Sequence, residues 1–317
     1  MGDRSNPLVL IAGSANADFV VRAGRIPAAG ETVLGGDLAI FPGGKGANQA
    51  VAAARAGGVA TRMLVALGDD DMARMVADSL TGAGVDLDIR RSSRSTGAAL
   101  ITVSDAAENA ITVSPGANAD LGPNDLPDLA GIAWLVMQLE TPIDTVSAFA
   151  RTARDRGTKV MLNAAPARAL PAALLEAVDV LVVNEDELGM LVGADGSIAE
   201  RLARTGVATT VVTLGGRGAC ARVGGDYVLQ PAFVVMPVDT TAAGDTFCGV
   251  LAAGFADGLG LSDALVRAAA AAALVTTRAG AQSSIPPRAE VDAFMTAAHP
   301  HDRDDLAAYC GLGPAAS

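Results

Sequence analysis

Aromatic side chains are scarce in this chain. They make up 3% of its 317 residues, with seven Phe, two Tyr and one Trp, while half of the residues are hydrophobic. The core must therefore pack Ala, Val, Leu and Gly, and small side chains let helices sit close to a sheet. Basic charge is also short: 23 Lys and Arg face 35 Asp and Glu, a net charge of −12. Nucleic-acid binding ordinarily needs a basic face, and none is visible. The same charge argues against docking on an anionic membrane. A phosphate-bearing ligand is not excluded, because backbone N–H groups at a helix N-terminus hold an anion whatever the global charge. The three cysteines, Cys220, Cys248 and Cys310, are odd in number and widely spaced, so neither a disulfide framework nor a zinc ribbon is implied. The most apolar stretches, such as 247–256, fall far short of the ~20 residues of a membrane helix. Residues 1–7 are polar and lack the basic-then-apolar order of a signal peptide. The expectation is a soluble cytoplasmic protein.

What the chain does have is rhythm. Short β-branched apolar runs at 8–12, 63–67, 134–137, 160–162, 180–183 and 210–214 alternate with Ala-rich helical stretches at 47–56, 72–81, 143–156, 185–191 and 198–205. Continuous apolar strands are buried on both faces, and strands alternating with helices make a mainly parallel sheet between helical layers. Residues 19–41 and 96–113 break the rhythm with short extended segments and Gly, Pro and Asp turns. They read as hairpins forming a small β-sheet lid, or as two irregular surface loops. The expected organisation is one α/β domain over 1–298, with lid insertions 18–42 and 96–114. An extension over 299–317, rich in Gly, Pro, Asp and Ala, is expected to be mobile at least in part.

Six motifs carry candidate chemistry; the first directly follows the first predicted strand, and open α/β sheets place ligands beyond the carboxyl ends of strands. Gly13-Ser14-Ala15-Asn16-Ala17-Asp18 offers two readers of hydroxyl groups, or an Asx turn. Pro42-Gly43-Gly44-Lys45-Gly46-Ala47-Asn48-Gln49 lacks Walker spacing. Its glycines allow close backbone approach, with Lys45 and Asn48 able to bind hydroxyls or a nascent phosphate; the alternative is a glycine-rich helix start. Glu140, ending Met137-Gln138-Leu139-Glu140, is a hydroxyl acceptor or a helix-start charge. Asn184-Glu185-Asp186-Glu187 suits a hydrated Mg²⁺, or an acid-rich helix N-terminus. Thr213-Leu214-Gly215-Gly216-Arg217-Gly218 is a nucleotide turn or a hairpin.

The sixth motif is Val238-Asp239-Thr240-Thr241-Ala242-Ala243-Gly244-Asp245-Thr246-Phe247. Small residues at a helix start leave the first-turn N–H groups uncovered, an anion hole, and Asp245 stands beside it as a base. The alternative is a helix-favouring acid. His299 and His301 beside Asp302, Asp304 and Asp305 read as a solvated tail rather than a metal tract, and Trp134 and the alanines of 268–273 as packing.

In order, GSANAD (13–18), GGKGANQAVAA (43–53), STGAALITV (95–103), PGAN (115–118), MQLE (137–140), NAAPAR (163–168), NEDE (184–187), TLGGRG (213–218), VDTTAAGDTF (238–247) and TRAGAQSSIP (277–286) resemble the ribokinase branch of the ribokinase-like sugar and nucleoside kinases. The resemblance implies a three-layer α/β/α fold, a β-lid that pairs subunits into a homodimer, and transfer of the ATP γ-phosphoryl to the 5-hydroxyl of ribose. It implies sugar contacts at Asn16, Asp18, Gly44, Lys45, Asn48 and Glu140. The base falls on Asp245 and the anion hole on Ala242, Ala243 and Gly244. Nucleotide contacts fall on Asn184, Thr213, Gly215, Gly216, Gly218, Gly244 and Ala269. Asn184 and Glu187 match the motif linked to Mg²⁺, with Glu187 acting through water. A K⁺ site would use Asp239, Thr241, Val275, Arg278, Gly280 and Ser284. Two residues depart from the pattern: Ala15 where a larger aliphatic is common near the sugar, and Ala269 where a polar residue is common near adenine. A kinase for another small sugar or a nucleoside stays open, as does a sugar or nucleotide sensor without catalysis. A Rossmann dehydrogenase fits poorly, because the first strand lacks G-x-G-x-x-G.

Overall fold

A computed structural model of the chain describes residues 9–106 and 108–313. The strands are β1 (Val9–Ala12), β2 (Asn16–Ala23), β3 (Ala39–Gly43), β4 (Thr61–Leu67), β5 (Val85–Arg91), β6 (Gly97–Ser104), β7 (Asn109–Ser114), β8 (Trp134–Met137), β9 (Lys159–Asn163), β10 (Val180–Asn184), β11 (Thr209–Thr213), β12 (Gly218–Val223) and β13 (Asp226–Pro231). Nine build one sheet in the order β13-β12-β11-β10-β9-β8-β1-β4-β5. From β5 to β11 every pairing is parallel; β12 and β13 close that edge as an antiparallel hairpin.

The apolar runs dictate the layers. Along a strand, side chains alternate between faces, and here both sets are apolar. Val9 and Ile11 enter one core, Leu10 and Ala12 the other; Val180 and Val182 divide from Leu181 and Val183 in the same way. One face is covered by α1 (Lys45–Val51), which continues through a π-helical turn at Ala52–Ala56, and by α2 (Asp71–Gly82). The opposite face carries α3 (Ile143–Asp155), α4 (Ala172–Leu175), α5 (Glu185–Val192) and α6 (Ile198–Ala203). The first layer is completed by α7 (Ala243–Ala256), α8 (Leu261–Thr276) and α9 (Arg288–Ala297), the second by α10 (Arg303–Cys310).

The segments that broke the rhythm form a second sheet of order β3-β2-β6-β7. Its strands begin at Asn16 and end at Gly43, slightly wider than the expected 18–42. The described part of the extension packs against the α/β domain. Residues 299–301 run beside residues 232–234, and α10 buries Ala307 and places Leu306 and Cys310 in the core that holds Cys220. The apolar side of α10 outweighs the Gly, Pro and Asp around it, so residues 299–313 are docked; residues 314–317, and residue 8 of the first predicted strand, lie outside the described residues. Among the described residues no helix is long and apolar enough to cross a membrane.

Candidate active site

The ends of β1, β8, β9, β10 and β11 converge on one edge of the sheet, and α7 points its N-terminus at them. Small residues make this approach possible. A Cβ on Gly249 would lie 2.4 Å from the Gln49 carbonyl oxygen and 2.7 Å from the Ala52 Cβ. α7 therefore crosses α1 closely, which brings Asp245, in the first turn of α7, within reach of Asn48 and Gln49. Asn48 Nδ2 donates to Asp245 Oδ2 at 2.9 Å, and Gln49 Nε2 donates to Asp245 Oδ1 at 3.2 Å.

Both amides are themselves held. Gln282 Nε2 donates to Asn48 Oδ1 at 3.2 Å. Gln138 Nε2 donates to Gln49 Oε1 at 2.6 Å, and Asn163 Oδ1 accepts from Gln49 at 3.1 Å. Buried amides must be paired, and here the pairing fixes the carboxylate's orientation. Gln49, Gln138, Asn163 and Gln282 were missed by the sequence reading. The available signal was an amide inside an otherwise apolar segment.

The residues expected to contact a sugar gather next to this carboxylate. Gly44 has φ 90°, and a Cβ there would lie 2.7 Å from Ala15 Cα. Only glycine lets the turn into α1 press against the β1–β2 connection. Lys45 N donates to Glu140 Oε2 at 3.2 Å, and Ser14 Oγ donates to the same oxygen at 2.6 Å. Asn16 is buried and accepts from Asn118 Nδ2 at 2.8 Å, while Asn118 Oδ1 accepts from Ala15 N at 3.0 Å. Ser14 and Asn118 are thus positioning residues that the sequence did not single out.

Three carboxylates and one ammonium share this space, and their ionisation shows it. Burial, then the charges of Glu140 and Asp245, push Asp18 up to about 7, against the pull of Lys45. Burial also raises Asp245, opposed by Lys45 and by the Asn48 and Gln49 bonds. For Lys45 burial alone acts downward, but the charges of Asp245, Glu140 and Glu187 outweigh it and its pKa is raised. Like charges crowded into a desolvated cleft are costly without a ligand, which marks a site built for one.

On the other side of Asp245 a cavity of about 330 Å³ opens between the β11–β12 turn, residues 232–237 and α8. Of the expected nucleotide residues, Thr213, Gly215, Gly216, Gly218, Gly244 and Ala269 line it; Asn184 does not. Asn184 pairs in register with Thr213 at the neighbouring strand end and is exposed. Its Oδ1 accepts from Glu187 N at 2.7 Å, and Glu187 Oε2 accepts from Asn184 N at 2.8 Å, a reciprocal cap of α5. The helix-start reading of this motif therefore holds in the geometry. Glu187 is nonetheless raised, chiefly by burial.

Ala242 caps α7 with φ 60°, the one non-glycine residue in the left-handed region among those described. Such a conformation costs free energy and is concentrated at functional sites. It turns the chain into α7, whose first residues Ala243 and Gly244 line the cavity; the Ala243 N–H is taken by the Thr240 carbonyl at 3.3 Å, and the Gly244 and Asp245 N–H groups have no intrahelical acceptor. Below it, Asp239 ties two loops together: its Oδ2 accepts from Gly280 N at 2.9 Å, and its Oδ1 from Thr241 N at 2.9 Å and Thr241 Oγ1 at 2.6 Å. Among the described residues no cluster of three or more His, Cys, Asp or Glu side chains is gathered as for a metal ion.

Known proteins share this architecture. The description of the pfkB family carbohydrate kinases matches residues 6–288. The ribokinase of Haemophilus influenzae is 37% identical over 298 residues, covering 90% of this chain and 97% of its own. Ribokinase from Thermotoga maritima superposes with a TM-score of 0.85 at 33% identity, over 92% of this chain and 99% of the other. Arabidopsis thaliana ribokinase complexed with ribose and ATP superposes with a TM-score of 0.84 at 32% identity, over 92% and 98%. With the match running through nearly the whole α/β domain and its lid, the chain belongs to the pfkB family of carbohydrate kinases.

Proposed function

We propose that this protein transfers the γ-phosphoryl group of ATP to the 5-hydroxyl of D-ribose. The observation that carries the reading is the position of Asp245. It lies between the polar pocket of Asn16, Asp18, Lys45, Asn48 and Glu140 and the cavity at the start of α7. The names and bound ligands of the ribokinases above supply the identity of the sugar and the nucleotide.

In this reading Asp18 and Asn16 pair with sugar hydroxyls and hold the acceptor against Asp245. Asp245 takes the proton of the 5-hydroxyl as its oxygen bonds to the γ-phosphorus, and the bond from that phosphorus to the ADP oxygen breaks. A carboxylate whose pKa is raised by burial is a better proton acceptor than an exposed one. The amides of Ala242, Ala243 and Gly244 meet the charge of the transferring group, and Lys45 adds a cation beside it. Glu187 would hold Mg²⁺ through water: the cap engages only its Oε2, leaving the other oxygen outside that bond. When bound, the ion would neutralise phosphate charge. A K⁺ ion would sit among Asp239, Thr241, Val275, Arg278, Gly280 and Ser284. These would supply oxygens from the loop before α7, the last turn of α8 and the loop after it, which Asp239 joins, a donor set that suits a hard monovalent cation. The protein would work in the cytoplasm as a homodimer joined through its lids.

The deciding experiment is ADP release across a panel of ribose, deoxyribose, fructose and purine nucleosides, with phosphorus NMR of the product. Ribose 5-phosphate as the product with the highest kcat/KM is expected. A preference for a nucleoside or a ketose overturns the assignment of ribose while leaving the kinase chemistry in place.

A further inference from the structure

The family match ends at residue 288, yet the cavity beside α7 is not complete without residues beyond it. The short strand at 299–301 is pinned by its main chain: Val234 N donates to the His299 carbonyl at 3.2 Å, Pro300 pairs with Phe233, and His301 N donates to the Ala232 carbonyl at 2.8 Å. This places His301 in the cavity wall with Phe233 and Ala269. Eight residues later, the Tyr309 ring lies 4.1 Å from the Arg217 guanidinium carbon. The Tyr309 hydroxyl donates to the Glu185 carboxylate, 2.8 and 2.9 Å from its two oxygens. The extension thus spans from the β11–β12 turn to the start of α5.

We propose that this C-terminal extension is a working part of the nucleotide site, with His301 contacting the purine base and Tyr309 positioning the Gly215–Arg217 turn. The inference rests on the reading of the cavity as the place of ATP. The phosphates belong at Ala243 and Gly244, where the helix amides are. The base then belongs away from α7, between the alanines of α8 and the Phe233 wall. That part of the cavity is apolar and offers surface for stacking, but few groups that can read a base edge. Among the residues lining the cavity, His301 is the one ring with hydrogen-bonding nitrogens. A neutral imidazole presents one donor and one acceptor on diverging sides of the ring, so one of them can engage a single group of the adenine edge, its amino group or a ring nitrogen. Arg217 is further fixed because its carbonyl accepts at 3.1 Å from the N–H of Ala232, the same residue whose carbonyl anchors His301. Tyr309 touches no base in this arrangement. It holds the turn against α5 through a cation–π contact and the Glu185 bond.

The test combines calorimetry with the non-hydrolysable analogue β,γ-imido-ATP and initial rates with ATP and GTP at saturating ribose. His301 is exposed, so His301→Ala leaves the core intact. It is expected to weaken analogue binding and raise the ATP KM about three- to tenfold, the loss of one hydrogen bond. The ATP:GTP preference should shrink and the sugar KM stay unchanged. His301→Gln, which keeps a donor and an acceptor, should recover part of the loss. Tyr309→Ala should raise the ATP KM while leaving the ATP:GTP preference as in the wild type; an unchanged KM removes Tyr309 from the site. Ala269→Leu, which fills the cavity, tests the underlying reading. Weakened binding in Ala269→Leu with unchanged affinity and preference in His301→Ala overturns the role of the extension alone. Unchanged binding in both places the nucleotide elsewhere and overturns both. Weakened binding in His301→Ala alone supports the extension and moves the base toward the cavity rim.

Discussion

The side-chain amide of Asn48 lies between Gln282, which donates to its oxygen, and Asp245, which accepts from its nitrogen at 2.9 Å. The carboxylate of Asp245 is therefore oriented by α1 as well as by its own helix. Asp245→Asn keeps the shape and an acceptor for Asn48 but loses the proton acceptor. We expect the variant to fold, to bind sugar and ATP within a few-fold of the wild type, and to lose about 10²–10⁴ in kcat. Steady-state ADP release and calorimetry decide it, and a kcat near that of the wild type removes Asp245 from the mechanism.

Asp18 makes a prediction about pH with a definite sign. Its carboxyl is raised from 3.8 to about 7, first by burial and then by Glu140 and Asp245. The folded protein then holds a proton that the unfolded chain has already lost. Stability falls as pH rises between about 3.8 and about 7, and the deficit is fully present above that window. Asp18→Asn removes the charge, so the variant should melt higher than the wild type at pH 8, with the gap narrowing at pH 5. It should also bind sugar about tenfold more weakly, because a site built to pair hydroxyls loses an acceptor. Melting curves at the two pH values test the first part; an equal gap at both, or a less stable variant at pH 8, contradicts the assignment of a desolvated carboxylate.

How legible was this in the sequence? The parallel strands were, because burial on both faces writes a continuous apolar run, as in Val180-Leu181-Val182-Val183. β5 did not stand out, because at the sheet edge it alternates apolar and polar residues, Val85-Asp86-Leu87-Asp88-Ile89, the pattern of a half-buried strand and not the continuous apolar run of the others. The turns at Gly44 and Ala242 were visible as runs of small residues, since close approach of backbone leaves no room for side chains. The amide network around Asp245 was not, because hydrogen-bond partners such as Gln49 and Asn163, 114 residues apart, leave no trace in local pattern. α10 was hidden by composition, although Leu306, Ala307 and Cys310 already carried a helical stripe. In the NEDE motif Asn184 and Glu187 cap a helix, and spacing alone does not separate that role from a ligand role.

The lid sheet exposes apolar residues on both faces. Phe19 pairs with Ile40 and Leu100 on one face, whereas Ile101 pairs with Ile111 on the other. Ile40 is 46% exposed, Leu100 57% and Ile111 54%, too much apolar surface for a small two-sided sheet to leave to water. Edges of this kind are normally covered or paired. We expect a dimer at micromolar concentration, and a monomer for the double variant Leu100→Asp, Ile111→Asp, by light scattering. A monomeric wild type would remove the lid-to-lid contact without touching the chemistry of the cleft.

The last prediction concerns the loops beneath the anion hole. Burial alone would raise the pKa of Asp239, yet the donors of Thr241 and Gly280 outweigh it and hold the carboxyl below its usual range. It is therefore a fixed negative charge, placed where the loop before α7 meets the loop after α8. Val238 N and Asp239 N also donate to the Thr276 carbonyl, at 2.7 and 3.1 Å, which ties the same two loops again. A cation among the oxygens of Asp239, Thr241, Val275, Arg278, Gly280 and Ser284 would stiffen this junction without touching substrate. Residue 242 follows directly, in its strained left-handed conformation, so the junction sets where the first-turn amides of α7 point. Those amides stabilise developing charge only if they are already aimed at it. Turnover should accordingly rise with K⁺ and fall when Na⁺ replaces it at equal ionic strength, because the smaller ion fits a carbonyl cage of potassium size poorly. Asp239→Asn should lose that discrimination together with part of kcat, while sugar affinity changes little. Equal kcat and KM in K⁺, Na⁺ and tetramethylammonium would show that hydrogen bonds from Asp239 alone preorganise the anion hole.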